Sequence, residues 1–163
     1  MKKFIFVLMI SIICVMLVSC ASTQKTADIL DLETYQLPVL PNDSTAVVYV
    51  VRAKKAYGAW IPFKVSIDDS AKEKLNNASV ITYLIQPGEH TFIAKGENTK
   101  ELPFTAEAGH VYFYEVFPKM GFIYARVRID ELDEISGKNK VMKYYEEGKS
   151  SVINLATNPV SQE

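Results

Sequence analysis

From Ala46 to about residue 130 the chain is a succession of short apolar or alternating runs, and each run ends in turn residues. The runs are roughly ten residues apart, so most connections lack the dozen or more residues that a crossover helix needs. Short strands at this spacing, separated by Gly or Pro turns, are typical of an antiparallel β-sandwich or a partly open barrel. The spacing therefore predicts an all-β, antiparallel sandwich of about seven or eight short strands over residues 45–147.

The runs differ in how they are expected to be buried. Ala46 to Val51 is continuously apolar, which predicts a strand covered on both faces. Phe63 to Ile67 alternates apolar with polar residues, which predicts one buried and one wet face. The other predicted strands lie at 80–85, 91–94, 102–106, 111–117 and 123–129, with a loop over 69–77, a short helix over 141–147 and a polar, disordered tail over 148–163.

The N-terminus has the order of an export signal. Lys2 and Lys3 supply positive charge, Phe4 to Met16 is apolar and uncharged, and Leu17-Val18-Ser19-Cys20 follows directly. The apolar run is shorter than the roughly 20 residues that span a bilayer. We therefore expect residues 1–19 to be a lipoprotein signal peptide that is cleaved between Ser19 and Cys20.

Cysteine usage agrees with this expectation. Cys14 lies inside the predicted signal, so Cys20 is the sole cysteine of the mature chain and has no disulfide partner. In bacterial lipoproteins, which this N-terminus resembles, that thiol carries a diacylglyceryl group and the freed amine is often acylated, and more than one chain is needed for stable anchoring. The alternative is an ordinary secretory signal with a coincidental cysteine. The expected location is the bacterial cell membrane or, since Ala21 follows the cysteine, the outer membrane.

Charge limits the partners that the mature chain can have. Loss of Lys2 and Lys3 leaves 16 basic against 19 acidic residues, a net charge of about −3. This balance argues against nucleic acid, which requires clustered Lys and Arg, and against adhesion to anionic lipid through basic patches. Residues 20–44, with their Ser/Thr-rich start, are expected to form the lipidated N-terminus and a tether; the apolar positions between Ile29 and Leu37 leave open that part of it docks on the domain edge.

A set of landmarks between about residues 45 and 140 resembles the bacterial envelope lipoprotein family described as domain of unknown function (DUF) 2846. The landmarks are Val48-Tyr49-Val50-Val51-Arg52, Gly58, Val65-Ser66-Ile67-Asp68, Pro87-Gly88-Glu89-His90-Thr91, Ala108-Gly109-His110-Val111-Tyr112-Phe113 and Gly121-Phe122. Family members often carry Asp-Gly and Asn-Gly-Ser-Tyr-like stretches where this chain has Asp68-Asp69-Ser70 and Asn77-Ala78-Ser79. The resemblance implies a fold and a location, and it transfers no catalytic residue.

The residues with chemical potential do not form a recognised catalytic or metal motif. His90 and His110 each follow a turn, but neither belongs to a local zinc-ligand spacing. The acidic run over 130–134 lacks the EF-hand pattern, and adjacent Asp68 and Asp69 do not have the placement of glycosidase carboxylates. No serine lies in a nucleophile-elbow context. We therefore expect no metal, no cofactor and no enzymatic activity.

Aromatic and arginine side chains are the best candidates for an interaction face. Tyr112 and Tyr114 share one face of the strongest predicted strand, and Tyr124, Arg126 and Arg128 lie on the polar face of the next. If these strands pair, a surface of Tyr and Arg results, and such residues are enriched in binding hot spots. Trp60, with Tyr57, forms a second aromatic candidate. The alternative is that the tyrosines pack in the core.

The combined expectation is a lipid-anchored, non-enzymatic envelope module that contacts another envelope protein or the cell wall. A carbohydrate- or peptidoglycan-binding domain with an exposed Tyr/Trp/Arg face is the alternative, because aromatic rings can stack on sugars.

Overall fold

The computed structural model describes residues 34–121, 125–146 and 148–156. Within them, nine strands and one helix belong to the compact unit that begins at Leu37. The strands are β1 (Ala46–Arg52), β2 (Phe63–Ile67), β3 (Ser70–Leu75), β4 (Ser79–Ile85), β5 (Gly88–Lys95), β6 (Thr99–Ala106), β7 (Val111–Met120), β8 (Ala125–Glu131) and β9 (Ser150–Asn154), and the helix is α1 (Glu134–Glu146).

The strands form two sheets, which confirms the predicted all-β sandwich. Sheet A has the order β8-β7-β1-β4-β9 and sheet B has the order β3-β2-β5-β6. Most pairings are antiparallel, as in the predicted sandwich, but β1 pairs with β7 and β4 with β9 in parallel. Strands β2 to β6 lie between β1 and β7 in sequence, and strands β5 to β8 and helix α1 lie between β4 and β9. Each parallel pair is therefore joined by a long connection.

The main core lies between the two sheets. Sheet A contributes Val48, Val50 and Val116, and sheet B contributes Phe63 and Phe92, all almost fully buried. Alternation along each strand sends these side chains inward. Burial of this apolar surface is the principal stabilisation of the domain, at roughly 25 cal/mol per Å² removed from water.

Helix α1 covers the opposite, outer face of sheet A. Tyr49 and Phe113 stack on this face with ring centroids 5.6 Å apart, and the hydroxyl of Tyr144 accepts a hydrogen bond from the Lys54 amide at 3.0 Å. The Tyr49 hydroxyl accepts from the amide of Val39 at 2.9 Å and donates to its carbonyl at 2.6 Å. Strand β1 is therefore buried on both faces, as its continuous apolar sequence predicted.

Those contacts also correct the boundary of the tether. Leu37 is only 7% exposed, and the Tyr49 hydroxyl fixes Val39 against sheet A. The segment from Leu37 to Ser44 therefore belongs to the folded unit; of the positions 29–37 whose docking the sequence left open, Leu37 is buried. Residues 1–33, including the predicted signal peptide and Cys20, lie outside the described residues.

Three elements differ from the sequence prediction. The helix begins at Glu134 rather than near Val141, because the Asp133 carboxylate accepts the Ser136 amide at 2.9 Å and caps the first turn. Ser70–Leu75 forms edge strand β3 although its sequence is polar, and the predicted loop there is wrong. Ser150–Asn154 forms edge strand β9, so the predicted disordered tail is wrong over these residues.

Gly137 marks the closest approach of α1 to sheet A. A Cβ at this position would lie 2.6 Å from Cδ1 and 2.7 Å from Cβ of Phe113. We expect Gly137→Ala to lower the free energy of unfolding by about 2 kcal/mol, because the overlap outweighs the gain of about 1 kcal/mol in helix propensity. Urea denaturation measures the change. The exposed Asn139→Ala is the matched control and is expected to be neutral or slightly stabilising; equal effects of the two would show that α1 does not pack as described.

Thr82 is fully buried on the outer face of sheet A, and its hydroxyl has no hydrogen-bond partner in the described residues. We expect Thr82→Val to raise the free energy of unfolding by about 1 kcal/mol, because valine has nearly the same shape and removes the unsatisfied polar group. Thermal and urea unfolding together check this value. A loss of stability would mean that the hydroxyl has a partner in the folded protein.

Candidate functional site

The predicted Tyr and Arg face does not exist as one surface. Strands β7 and β8 do pair, with Phe117 opposite Arg128 and Val116 opposite Ile129. Opposite residues share a sheet face, so Arg128 lies with Phe117 on the outer face. Tyr112 and Tyr114 follow the parity of buried Val116 and face sheet B. The sequence placed tyrosines and arginines together, and the register separates them.

Both tyrosines are structural. Tyr114 is 1% exposed, stacks on Phe92 at 5.3 Å, and burial raises the pKa of its hydroxyl. Tyr112 is half-buried; its hydroxyl accepts from the Glu107 amide at 3.0 Å and donates to the Thr105 carbonyl at 3.1 Å. The alternative of core packing is therefore correct for this pair. Tyr124 lies outside the described residues.

Arg126 and Arg128 are exposed and line a groove between the edge strands β6 and β8, which we name the edge groove. Its volume is about 490 Å³, and its lining residues are Asn98, Lys100, Glu101, Leu102, Lys119, Arg126, Val127, Arg128, Ile129 and Asp130. Four basic side chains face two acidic ones there. The edge groove therefore carries a net positive charge, and its chemistry suits an anionic group on a partner.

The edge groove is partly preorganised. The Asn98 side chain accepts the Val127 amide at 2.7 Å and donates to the Val127 carbonyl at 3.2 Å, which fixes β8 beside β6. Arg128 donates from Nε to Asp130 at 2.9 Å and lies 5.5 Å from the Phe117 ring centroid. Arg126 and Lys119 have no ion-pair partner among the described residues. A carboxylate or phosphate could therefore bind these two cations without displacing an acid.

Trp60 lies on a separate surface, the loop Ala56–Ile61, which we name the Trp60 loop. Trp60 is 81% exposed and Tyr57 is 46% exposed. The Ile61 amide donates to the Gly58 carbonyl at 3.1 Å, and Gly58 adopts a φ of +69° in close proximity to Pro118 and Ala125. The loop thus packs against the far end of the β7–β8 pair and presents its aromatic rings to solvent.

Arg52 holds the Trp60 loop in place from beneath. Its guanidinium is completely buried and donates to the carbonyls of Gly58 and Ile61, each at 2.6 Å, and of Leu75 at 3.1 Å. It also lies 4.4 Å from the Phe63 ring centroid. Burial lowers the pKa of Arg52 from its ordinary value. The sequence located Arg52 at a strand end but carried no signal for this role.

Charged residues are distributed unevenly between the two ends of the sandwich. Because successive strands run in opposite directions, successive connections lie at opposite ends of the sandwich. Acidic residues predominate in the connections at one end and basic residues in those at the other. The acidic end carries Asp43, Asp68, Asp69, Glu89, Glu107, Asp130, Glu131, Asp133 and Glu134 in or beside its connections, where Lys72 and Lys95 pair with Asp69 and Lys138 pairs with Glu134. The basic end carries Lys54, Lys55, Lys64, Lys74, Lys100, Lys119, Arg126 and Lys149, with Glu97 and, at the end of α1, Glu146.

Both histidines lie at the acidic end, and each has a ring nitrogen in contact with a neighbouring acceptor. His90 contacts the Asp68 carboxylate through Nδ1 at 2.6 Å and the Gln86 carbonyl through Nε2 at 2.8 Å, so neither nitrogen faces a nucleophile. His110 contacts the Ala108 carbonyl through Nδ1 at 3.1 Å. Residues 34–121, 125–146 and 148–156 contain no group of three His, Cys, Asp or Glu placed to hold a metal ion.

The described part of the chain contains no helix that is long and apolar enough to cross a membrane. Comparison of the sequence with protein-family models and with curated proteins found no match.

The Arg52 contacts generate a stability prediction. We expect Arg52→Lys to lower the free energy of unfolding by at least about 2 kcal/mol, because an ammonium cannot reach all three carbonyls in the planar geometry of a guanidinium. Urea denaturation gives the change, and the emission of Trp60, the sole tryptophan, reports on the loop. The same substitution at exposed Arg128 is the control, with an expected change within about 0.5 kcal/mol. Equal effects at both positions would contradict a clamp at Arg52.

Proposed function

We propose that this protein is a lipid-anchored lipoprotein of the bacterial cell envelope, similar to the DUF2846 family, in which Cys20 carries the lipid. Its β-sandwich is a non-enzymatic interaction module that contacts another envelope protein or the cell wall through the edge groove. The observation that carries this proposal is the groove itself, where Arg126 and Lys119 are exposed without an acidic partner in the described residues.

The anchoring half of the proposal is supported by the export pattern that ends at Cys20 and by the position at which the domain begins. The folded unit starts at Leu37, so seventeen peptide steps separate it from Cys20. A chain of that length reaches at most about 60 Å. An acylated Cys20 would therefore confine the domain to a thin layer beside the membrane and raise its effective concentration toward partners there.

Backbone conformation supports the family resemblance. Where the resembled family often carries the glycines of Asp-Gly and Asn-Gly, this chain has Asp69 and Ala78. Both residues adopt positive φ, of 57° and 55°, in the left-handed region. Glycine is favoured at such angles because it has no Cβ. The backbone at Asp69 and Ala78 therefore keeps the conformation that favours glycine, although this chain carries other residues there.

The edge groove explains how the module could recognise a partner. Arg128 is held by Asp130 and Phe117, while Arg126 and Lys119 project beside it. Leu102 and Ile129 supply apolar area between the charges. A partner segment with a carboxylate or phosphate next to an apolar side chain would match this arrangement, since ionised acceptors bind guanidinium groups in bidentate geometry.

A carbohydrate-binding function is the second candidate, and the exposure of Trp60 and Tyr57 favours it. Both rings belong to one loop that Arg52 holds in place. Sugar rings stack on such side chains. Titration with muropeptides, with Trp60 emission as the readout, tests this candidate; unchanged emission across a panel of glycans would remove it.

Crosslinking in intact cells tests the leading proposal. We expect specific crosslinked neighbours for the natural protein, loss of the acyl group and of the membrane-associated neighbours in Cys20→Ala, and at least a fivefold loss of the crosslinked partner in Arg126→Glu/Arg128→Glu. Lys72→Glu/Lys138→Glu makes the same charge change away from the groove and is the control. Identical neighbours for both double variants would overturn the role of the groove, and an unacylated Cys20 would overturn the anchor.

A further inference from the structure

The basic end combines exposed apolar side chains with lysines. Trp60, Met120 and Tyr57 are 81%, 78% and 46% exposed, and Lys54 and Lys55 are exposed in the same connection as Trp60. Met120 belongs to the far end of β7, where Pro118 lies 3.1 Å from the position that a Cβ on Gly58 would occupy. The apolar and basic groups therefore share one end of the sandwich.

The Trp60 loop is also held by hydrogen bonds on both sides of Trp60. Arg52 binds the carbonyls of Gly58 and Ile61, and the Asn77 side chain accepts the Lys55 amide at 3.0 Å and donates to its carbonyl at 3.1 Å. The backbone on both sides of Trp60 is thus tied to buried or neighbouring groups. A large aromatic side chain held in water on a fixed loop loses little conformational freedom when a surface covers it.

We infer that the basic end is a second membrane-contact site, which lays the Trp60 loop on the anionic phospholipid headgroups of the bilayer that holds the anchor. Tryptophan prefers the headgroup level of a bilayer, and each lysine near an anionic surface strengthens binding by about fivefold. The inference rests on the proposed function for the presence of the bilayer. The residues that carry it, Trp60, Lys54 and Lys55, do not line the edge groove, although the groove residues Lys100, Lys119 and Arg126 lie at the same end.

The opposite end gives this contact a direction. Acidic side chains outnumber basic ones at the acidic end even though Asp69, Asp130 and Glu134 are paired with basic side chains there, so an anionic bilayer repels it. Attraction at one end and repulsion at the other orient a tethered domain even when its net charge is slightly negative, because the field near a membrane falls off within a Debye length of about 10 Å. The acidic end then faces away from the bilayer.

Trp60 emission is a direct test, because the chain has one tryptophan. The lipidated protein is purified from membranes and reconstituted into vesicles of phosphatidylcholine with or without phosphatidylglycerol. We expect a blue shift of emission, and quenching by brominated acyl chains, only with phosphatidylglycerol, and reversal of both at high salt. Equal emission in the two vesicle types would overturn the inference, as would a shift that appears only after envelope proteins are added.

Charge variants locate the contact. Lys54→Gln/Lys55→Gln is expected to reduce the ratio of docked to free domain by about 25-fold, whereas Lys72→Gln/Lys138→Gln, with the same change in net charge, leaves it unchanged. Equal effects would overturn the site. Cosedimentation of the mature chain carrying Cys20→Ser with the same vesicles separates this inference from the proposed function: residual, salt-sensitive binding supports docking even if Cys20 is never acylated, and no binding counts against it.

Discussion

The buried guanidinium of Arg52 is the interaction on which the Trp60 loop and the junction of the two sheets beneath it depend. A cation without a carboxylate partner among the described residues is costly to bury, and here three backbone carbonyls and the face of Phe63 compensate for the lost water. Those carbonyls come from the Trp60 loop and from the end of β3. One side chain at the end of β1 therefore joins both sheets and fixes the loop that presents Trp60.

Sheet A is unusual in this sandwich because both of its faces are covered. Sheet B packs on the inner face, while α1 and the segment from Leu37 to Ser44 pack on the outer face around Tyr49 and Phe113. Its interior strand β1 is therefore insulated from water and can carry a continuous apolar sequence. The solvent-exposed chemistry is displaced to the ends and edges of the sandwich, where the edge groove and the Trp60 loop lie.

The sequence pattern predicted the strands whose burial is visible as an alternation of apolar and polar residues or as a continuous apolar run. The alternation of Phe63 to Ile67 and the apolar run of Ala46 to Val51 both correspond to strands. It missed β3 and β9, because edge strands need only backbone partners and their polar side chains carry no periodic signal. It placed Trp60, Arg126 and Arg128 on the surface, where the structure has them. It could not decide whether Tyr112 and Tyr114 share a sheet face with Arg126 and Arg128, since that depends on the register between β7 and β8.

The sequence by itself determined the class of fold and a slightly negative net charge. Only the tertiary structure decided how that charge is distributed. Acidic residues such as Asp68 and Glu107 alternate along the chain with basic ones such as Lys55 and Lys119, and the alternating direction of the strands leaves an excess of acidic residues at one end and of basic residues at the other. A net charge sums over the whole chain, whereas a partner or a bilayer meets one end at a time, at a distance where the other end is screened.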